Sequence, residues 1–481
     1  MEIELKLEIS RNDIEALDAS GVFGEPSTSG TLRSIYFDTR SRQLVASGFT
    51  LRIRHNRSAR VQTVKASGAA ASLFARSEWE TPVTGDTPVL DATSPIGQRF
   101  DIVASDLFAQ FEVETDRRTW NITENGSQIE VAIDRCTIRA GDRSSAFSEV
   151  EFELKDGNPA DLFVLARKVE AIVPVKFSVV SKAGRGFRLL DALPDAVKAI
   201  APDLEGRDPA IRTFQSLAWT CFKHFRLNET ILLQTGHADA LHQSRVALRR
   251  LRSAFSIYKP VVEGAEPLRL TAEFRWLAAV LGEVRNIDVL LSRTDDRNLH
   301  AALTTARAAA YRDACDALNS RRAAALMLDF NQWLMCDEAF VSGLGEGGDK
   351  TTALFAGQAL DRMRRKLKKH GQNLAKLDDD HRHQVRKDAK KLRYTAEFFR
   401  SLYDDKRGER RARKFIAAME ELQAHLGTLN DLVTSPGVLE THGLSDHPAA
   451  RHVLARDNKK ELLAKAQTAL DDVLDAKRFW R

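Results

Sequence analysis

The sequence predicts an α+β chain of two domains, an antiparallel β-sheet or barrel followed by an all-α bundle. Short runs of alternating apolar and polar residues, rich in β-branched and aromatic side chains, extend to about residue 190. Beyond residue 210 the pattern changes to Ala, Leu, Arg and Lys with the 3.6-residue period of helices. Between them AIAPDLEGRDPA (199–210) concentrates two prolines, a glycine and three acids, a composition that interrupts both kinds of element. Domains are therefore expected at 1–198 and 211–478, with 199–210 as linker.

Bulk composition agrees and narrows the class. The chain has 481 residues, 43% hydrophobic and 29% charged, as a globular chain of several domains should. No run approaches the roughly 18 apolar residues of a membrane span, and MEIELKLEIS lacks a basic segment followed by an apolar core. No membrane partner is expected, and the expected location is the cytoplasm. Cys136, Cys221, Cys315 and Cys336 lack zinc-site spacing and read as free thiols. The net charge of +5 hides an asymmetry: residues 1–200 carry 25 Lys and Arg against 29 Asp and Glu, the remainder 47 against 38. A basic second half suggests a polyanionic partner.

In order along the chain, strands are expected at IELKLEI, SIYFDT, TLRIRHN, VQTVKA, SEWETPV, QFEVETDRRTW, QIEVAID and SEVEFELK. Helices are expected around Asp13–Ala19 and Pro159–Val173, the second opened by Pro and Asp. Many strands with few helices between them favour antiparallel pairing.

These strands set ionic faces against apolar ones. Glu2, Glu4 and Lys6 alternate with Ile3, Leu5 and Leu7; Arg52 and Arg54 share a face, as do Glu78 with Glu80, and Glu149, Glu151, Glu153 with Lys155. A solvated outer surface would account for any one of them. Acids cluster on some strands and bases on others, however, which suits a closed sheet with a charged interior. Such a polar tunnel could hold Mg²⁺ or Mn²⁺ on carboxylates and phosphate oxygens on Arg and Lys.

Glu2-Ile3-Glu4-Leu5-Lys6 resembles the ExExK motif of the CYTH superfamily, the triphosphate tunnel metalloenzymes. YFDT (36–39), LRIR (51–54), TVK (63–65), SEWE (77–80), DRRTW (116–120), IEVAIDR (129–135), SEVEFELK (148–155) and SKAGRGFRL (181–189) continue the match in order. The resemblance implies an eight-stranded antiparallel tunnel that hydrolyses or cyclises triphosphate compounds with a divalent metal, Mg²⁺ or Mn²⁺. It implies Glu2, Glu4, Glu149, Glu151 and Glu153 as metal ligands, with Glu78 and Glu80 a second acidic pair. Lys6, Arg52, Arg54, Lys65, Arg117, Lys182 and Arg185 match the phosphate clamp. Lys6 and Asp134 are the expected catalytic pair; Asp134, Glu80 and Arg185 suit structural ion pairing equally well.

The basic half is internally duplicated. LHQSRVALRRLR (241–252) is echoed by RHQVRKDAKKLR (382–393), and LGEVRNID (281–288) by LGTLND (426–431). His242, Arg245, Arg249, Arg250 and Arg252 occupy the same offsets as His383, Arg386, Lys390, Lys391 and Arg393. Offsets 0, +3, +7 and +10 span only about 80° of a helix, so each set makes one stripe. Like charges so placed repel unless an anion neutralises them. RMRRKLKK (362–369) either extends this surface or is a solvated face, and GLGEGGDK (343–350) reads as a linker between repeats of about 211–342 and 351–478.

This half resembles the CHAD domain, the conserved histidine α-helical domain. The resemblance implies a pseudosymmetric helical bundle whose basic groove, lined by these ten residues, binds inorganic polyphosphate. The expected function is hydrolysis of inorganic triphosphate in the tunnel beside a polyphosphate-binding domain, with association to polyphosphate granules. The alternatives are a nucleoside or thiamine triphosphatase, an adenylate cyclase, or a non-catalytic polyphosphate-binding protein. No specific nucleic-acid partner is expected, because beyond Gln243 and Gln384 the two basic motifs lack the Asn, Gln and aromatic groups that read bases.

Overall fold

A computed structural model describes residues 2–56, 59–66, 75–90, 94–338, 340, 350–455 and 458–481, but not the side chains of Glu2, Ala75, Arg76 and Ala455. Of the expected linker at 343–350, residues 343–349 lie outside the described residues. The chain forms two compact units, residues 1–194 with 319–337, and residues 195–318 with 338–481. Among the described residues no helix is long and apolar enough to cross a membrane.

The first unit is a closed antiparallel sheet. Its long strands are β1 (Glu2–Ile9), β2 (Thr28–Asp38), β3 (Phe49–Asn56), β4 (Ala59–Ala66), β5 (Ala75–Val83), β6 (Phe108–Glu124), β7 (Ser127–Ala140) and β8 (Arg143–Asp156). A two-residue β9 (Lys176–Phe177) joins β1. The order is β5-β4-β3-β2-β6-β7-β8-β1-β9, and β1 also pairs with β5, at Glu2↔Arg76 and Ile3↔Ala75, which turns the sheet into a tunnel.

The usual barrel polarity is reversed over much of this sheet. Leu51, Ile53 and Val64 point outward into a cluster with Ile35, Phe37, Leu44 and Ile96, the last two from helices α2 (Gln43–Ala46) and α3 (Pro95–Arg99). Helix α1 (Arg11–Ser20) buries Ile14 and Leu17, and α4 (Ala160–Ile172) buries Leu162, Phe163, Leu165, Ala166 and Val169. With period-two alternation, burying Leu5, Leu7, Val150 and Phe152 outward forces Glu4, Lys6 and Glu151 inward.

One end of the interior is apolar. Tyr36, Phe111, Val113, Cys136 and Ile138 meet Ala183 and Phe187 of α5 (Lys182–Leu190), which plugs the tunnel. Gly186 is what lets the helix enter, because a Cβ there would lie 2.0 Å from the Phe111 ring. The N-terminus of α5, capped by Ser181, thereby delivers Lys182 to the ionic part of the lumen.

The helical elements after the sheet are α6 (Ala210–Thr235), α7 (Ala238–Ile257), α8 (Ala265–Leu291), α9 (Arg297–Leu318), α10 (Arg321–Cys336), α11 (Thr352–His370), α12 (Asp379–Phe399), α13 (Lys406–Thr441), α14 (Ala450–Ala455) and α15 (Lys459–Asp475). Helix α10 belongs to the first unit and packs on α4, where Arg167 bonds to Asp329 and Gln332 at 2.7 Å each. In the second unit α6, α7, α8 and α9 pack each on the next, and α11, α12, α13 and α15 repeat that succession. Gly236, at φ +66°, ends α6 in the left-handed conformation and permits the tight turn into α7. The core is aromatic: Tyr258 stacks on Phe355 at 4.4 Å and meets Phe214 and Phe399, and Phe255 packs edge-on against Phe214.

Candidate active site and basic groove

The tunnel encloses a cavity of about 390 Å³ in the first unit. Of the residues singled out in the sequence, Glu4, Lys6, Arg52, Arg54, Lys65, Glu78, Glu80, Arg117, Glu151, Glu153 and Lys182 line it. Asp134 and Glu149 lie behind them, both fully buried. Arg185 forms an ion pair with Glu8 at 2.5 Å and stacks over Phe147, off the lining. The Glu2 side chain lies outside the described residues.

Strand register arranges these groups in rungs. Glu4, Glu153 and Glu130 sit side by side across β1, β8 and β7; Lys6 pairs with Glu151 on the next rung; Glu8, Glu149, Asp134 and Arg117 form the third. On the other wall Tyr36 pairs with Arg52, Arg52 with Thr63 and Thr63 with Glu80. Sequence reading missed Glu130, although it shares the inward face of IEVAIDR with Asp134. It also missed Tyr36, whose contact with Arg52 across β2 and β3 follows from register alone.

The deepest rung is a dense ion network. Lys182 Nζ lies 2.7 Å from Asp134 and 2.9 Å from Glu151, and bonds to Glu149. Arg117 grips Asp134 through two bonds of 2.7 and 2.6 Å and also bonds to Glu151. Lys6 bonds to Glu151 and sits 3.1 Å from Glu4. Burial alone would lower the Lys6 pKa, but Glu151 and Glu4 outweigh it and hold the ammonium well above its ordinary value. Burial likewise opposes ionisation of Asp134 and Glu151. Lys182 and the neighbouring cations reverse that, so both carboxyls titrate below the usual range. Glu149 differs: burial and the Glu151 charge push it up, and its second oxygen has no partner.

Two wall cations are less matched. Lys65 lies 2.9 Å from Glu78, whereas Arg52 is 3.7 Å from the same carboxylate and leans on Tyr36. Arg54 has a buried Nε without a partner, and burial followed by Arg52 and Arg117 lowers its pKa to about 10. A buried guanidinium among other cations is a receptor for an anion.

Carboxylates that could hold a metal fall in two groups. Oxygens of Asp134, Glu149 and Glu151 come within 4.8 Å of one another. Lys182 and Arg117 already neutralise that trio. The Glu4, Glu153 and Glu130 rung faces the cavity, with Lys155 2.7 Å from Glu153 at its flank. Its hard oxygen donors suit Mg²⁺ or Mn²⁺.

In the second unit the His-led stripes lie on α7 and α12. A cavity of about 640 Å³ is lined by Arg249 and Arg252 from α7, Arg275 from α8, and His383, Arg386, Lys387, Lys390 and Lys391 from α12. Arg275, Lys387 and nearby Lys259 are additions the sequence reading did not single out. Burial, with Arg249, Arg386 and Arg245 close by, pulls Lys390 down to about 6. Burial, then Arg285, Arg249 and Arg245, lowers His242 to about 4, so that imidazole is neutral at pH 7. His383 contacts Asn430 at 3.1 Å.

Not every stripe residue faces this cavity. Arg250 is buried, bonds to Glu397 and stacks on Phe398. Arg393 lies 3.3 Å from Glu397 and 3.5 Å from Glu420. Arg245 spends a donor on the Ala278 carbonyl at 2.7 Å, and a Cβ at Gly282 would come within 2.7 Å of its guanidinium, which accounts for the glycine of that LG element. In the RMRRKLKK cluster, Arg362 and Arg364 reach the carbonyls of Ile257 and Leu474.

Residues 1–187 match the CYTH domain family and residues 216–440 the CHAD domain family, so the chain carries a CYTH domain followed by a CHAD domain. It is 33% identical over 160 residues to the inorganic triphosphatase of Haemophilus influenzae (strain ATCC 51907 / DSM 11121 / KW20 / Rd), a match covering 33% of this chain. That match spans 46% of the relative's own length, under half of it. Among solved structures, the CHAD domain of the plant Ricinus communis is 28% identical, covers 59% of this chain and 97% of its own, and has a TM-score of 0.49. A protein of Pyrococcus horikoshii OT3 is 18% identical, covers 39% and 99% respectively, and has a TM-score of 0.28.

Proposed function

We propose that the first unit hydrolyses inorganic triphosphate to diphosphate and phosphate, and that the second binds inorganic polyphosphate. The observation that carries the first half is the cavity itself, in which phosphate-binding cations face a rung of carboxylates. Likeness to an inorganic triphosphatase supports the choice of an inorganic substrate.

Arg52, Arg54, Lys65 and Arg117 would grip the phosphoryl oxygens, with Arg54 gaining the counter-charge it lacks. Glu4, Glu130 and Glu153, together with Glu2 at the start of β1, would hold Mg²⁺ or Mn²⁺. Bound there, the metal would neutralise phosphate charge and make water a stronger nucleophile. Lys6, between the acidic rung and Glu151, would meet the charge that builds on the phosphoryl group under attack. Asp134 would act by fixing Arg117 and Lys182. Water adds to the terminal phosphorus, the phosphoanhydride P–O bond breaks, and diphosphate leaves carrying the electron pair; one proton of the water stays on the new phosphate and the other passes through solvent to the diphosphate.

The test is phosphate release from inorganic triphosphate by the full chain with Mg²⁺, Mn²⁺ or EDTA, beside Glu4→Gln and Glu153→Gln. We expect metal-dependent turnover that the double substitution lowers by at least about a hundredfold, roughly 3 kcal/mol of barrier. Absence of turnover with either metal would overturn the reading. ATP and thiamine triphosphate as substrates, with cyclic AMP monitored, would expose an organic preference.

A further inference from the structure

The duplicated helices of the second unit do not carry equivalent charge. Aligned on their LG elements, Arg275 of α8 and Glu420 of α13 occupy the same place, six residues before Leu281 and Leu426. Their partners on the His-led helices are mates as well, Arg252 and Arg393. In the first repeat Arg252 faces Arg275: burial, then Arg275 and Arg249, lowers its pKa, and its buried Nε has no partner. In the second repeat Arg393 faces Glu420 and Glu397. Ser256 and Arg275 of the first repeat thus stand where the second has Glu397 and Glu420, and a cation pair in one repeat corresponds to ion pairs in the other.

Neighbouring groups extend the same imbalance. Arg249 pairs with no carboxylate among the described residues and donates to the Tyr394 hydroxyl at 2.9 Å. Lys387, Lys390 and Lys391 line the cavity beside it, and the acid among its lining residues is Glu263. The glycines differ too, since Gly282 is packed against Arg245 whereas a Cβ at Gly427 would meet nothing within 4 Å.

We infer that the helical unit has one anion subsite, on the first-repeat side, where Arg249, Arg252 and Arg275 with Lys390 and Lys391 hold consecutive phosphoryl groups of a linear phosphate chain, and that Glu420 and Glu397 silence the pseudosymmetric position. This rests on the reading of the unit as a polyphosphate binder. It goes beyond it by making the groove one-sided and by giving Arg275, which lies outside both repeated motifs, a share equal to that of the stripes. Consecutive phosphates are favoured over a single one because Arg249, Arg252, Arg275 and Lys391 crowd one cavity beside Lys390, more charge than one phosphate can neutralise.

Isothermal titration of the full-length chain with short-chain inorganic polyphosphate, with inorganic phosphate as control, tests this. Arg252→Gln and Arg275→Gln should each weaken binding by about tenfold or more, as loss of a charge-assisted contact does. Neither should lower the melting temperature, because each removes repulsion, so weakened binding cannot be put down to misfolding. Arg393→Gln should change affinity less than about threefold. Glu420→Arg, at a half-exposed position, should open the silent side and raise affinity or stoichiometry. Equal losses for Arg252→Gln and Arg393→Gln would overturn the one-sided site while leaving polyphosphate binding intact. No binding by the unaltered chain would overturn both.

Discussion

The tunnel and the groove both gather lysine and arginine, but they treat the charge in opposite ways. In the tunnel nearly every cation is matched: Lys182 sits among Asp134, Glu149 and Glu151, Arg117 holds Asp134, and Lys65 meets Glu78. In the groove Arg249, Arg252, Arg275 and Lys390 face one another without a carboxylate bridge among the described residues. Matching permits deep burial and fixes geometry, as a site that does chemistry needs. Leaving charge unmatched costs folding stability but keeps it available for a ligand that brings its own anions. The tunnel should therefore fail structurally when a cation is lost, and the groove should become more stable.

Lys182→Met gives the largest effect. It leaves Glu149 without its bonded cation and takes one partner each from Asp134 and Glu151, and breaking such a network costs roughly 3–5 kcal/mol. Urea unfolding of the full chain should show this together with lost triphosphate turnover; a loss below about 1 kcal/mol would mean the network is not rigidly matched. Arg54→Gln sharpens the contrast inside the tunnel itself, since Arg54 is its least matched cation. Stability should hold while KM for triphosphate rises about 10- to 100-fold, the value of one or two charged hydrogen bonds. Unchanged KM would remove Arg54 from the substrate.

Lys390→Met is the smallest and has the opposite sign. Replacing this unmatched amine, which folding makes give up its proton at pH 7, should stabilise the chain by on the order of 1 kcal/mol. The direction of the pH dependence follows from its depressed pKa, about 6 in the fold against 10.5 when free. Between those values the unfolded chain binds a proton that the folded chain does not, so this residue makes stability rise with pH across that window. Polyphosphate restores the charge, so binding there takes up a proton and weakens as pH rises. Calorimetry in buffers of different ionisation enthalpy would measure the uptake, and Lys390→Met should abolish it. Proton uptake that persists in the variant would place the titrating group elsewhere.

Much of this was legible because alternation is a local property. IELKLEI and SEVEFELK declare one ionic and one apolar face, and only a closed sheet can cover the apolar face with helices while keeping the ionic one inside. The identical offsets after His242 and His383 likewise declare two stripes. Glu130 and Tyr36 escaped because their significance depends on the strand opposite, which alternation does not reveal. Arg250 and Arg393 escaped in the other direction. Their spacing puts them near the stripe, yet Glu397, one turn beyond Arg393, draws both away from the cavity.

By itself, then, the sequence determined the two textures, the sign of the charge on each strand face and helix stripe, and the duplication of the second half, all of which depend on neighbours a few residues apart. Tertiary structure alone decided which of those charges are neutralised. Register set Lys182 and Arg117 against the buried acids, and the packing of α8 and α13 put Arg275 beside Arg252 but Glu420 beside Arg393. Coulomb energy falls with distance in space and ignores separation along the chain, so partners tens or hundreds of residues apart settle what each basic group is free to bind.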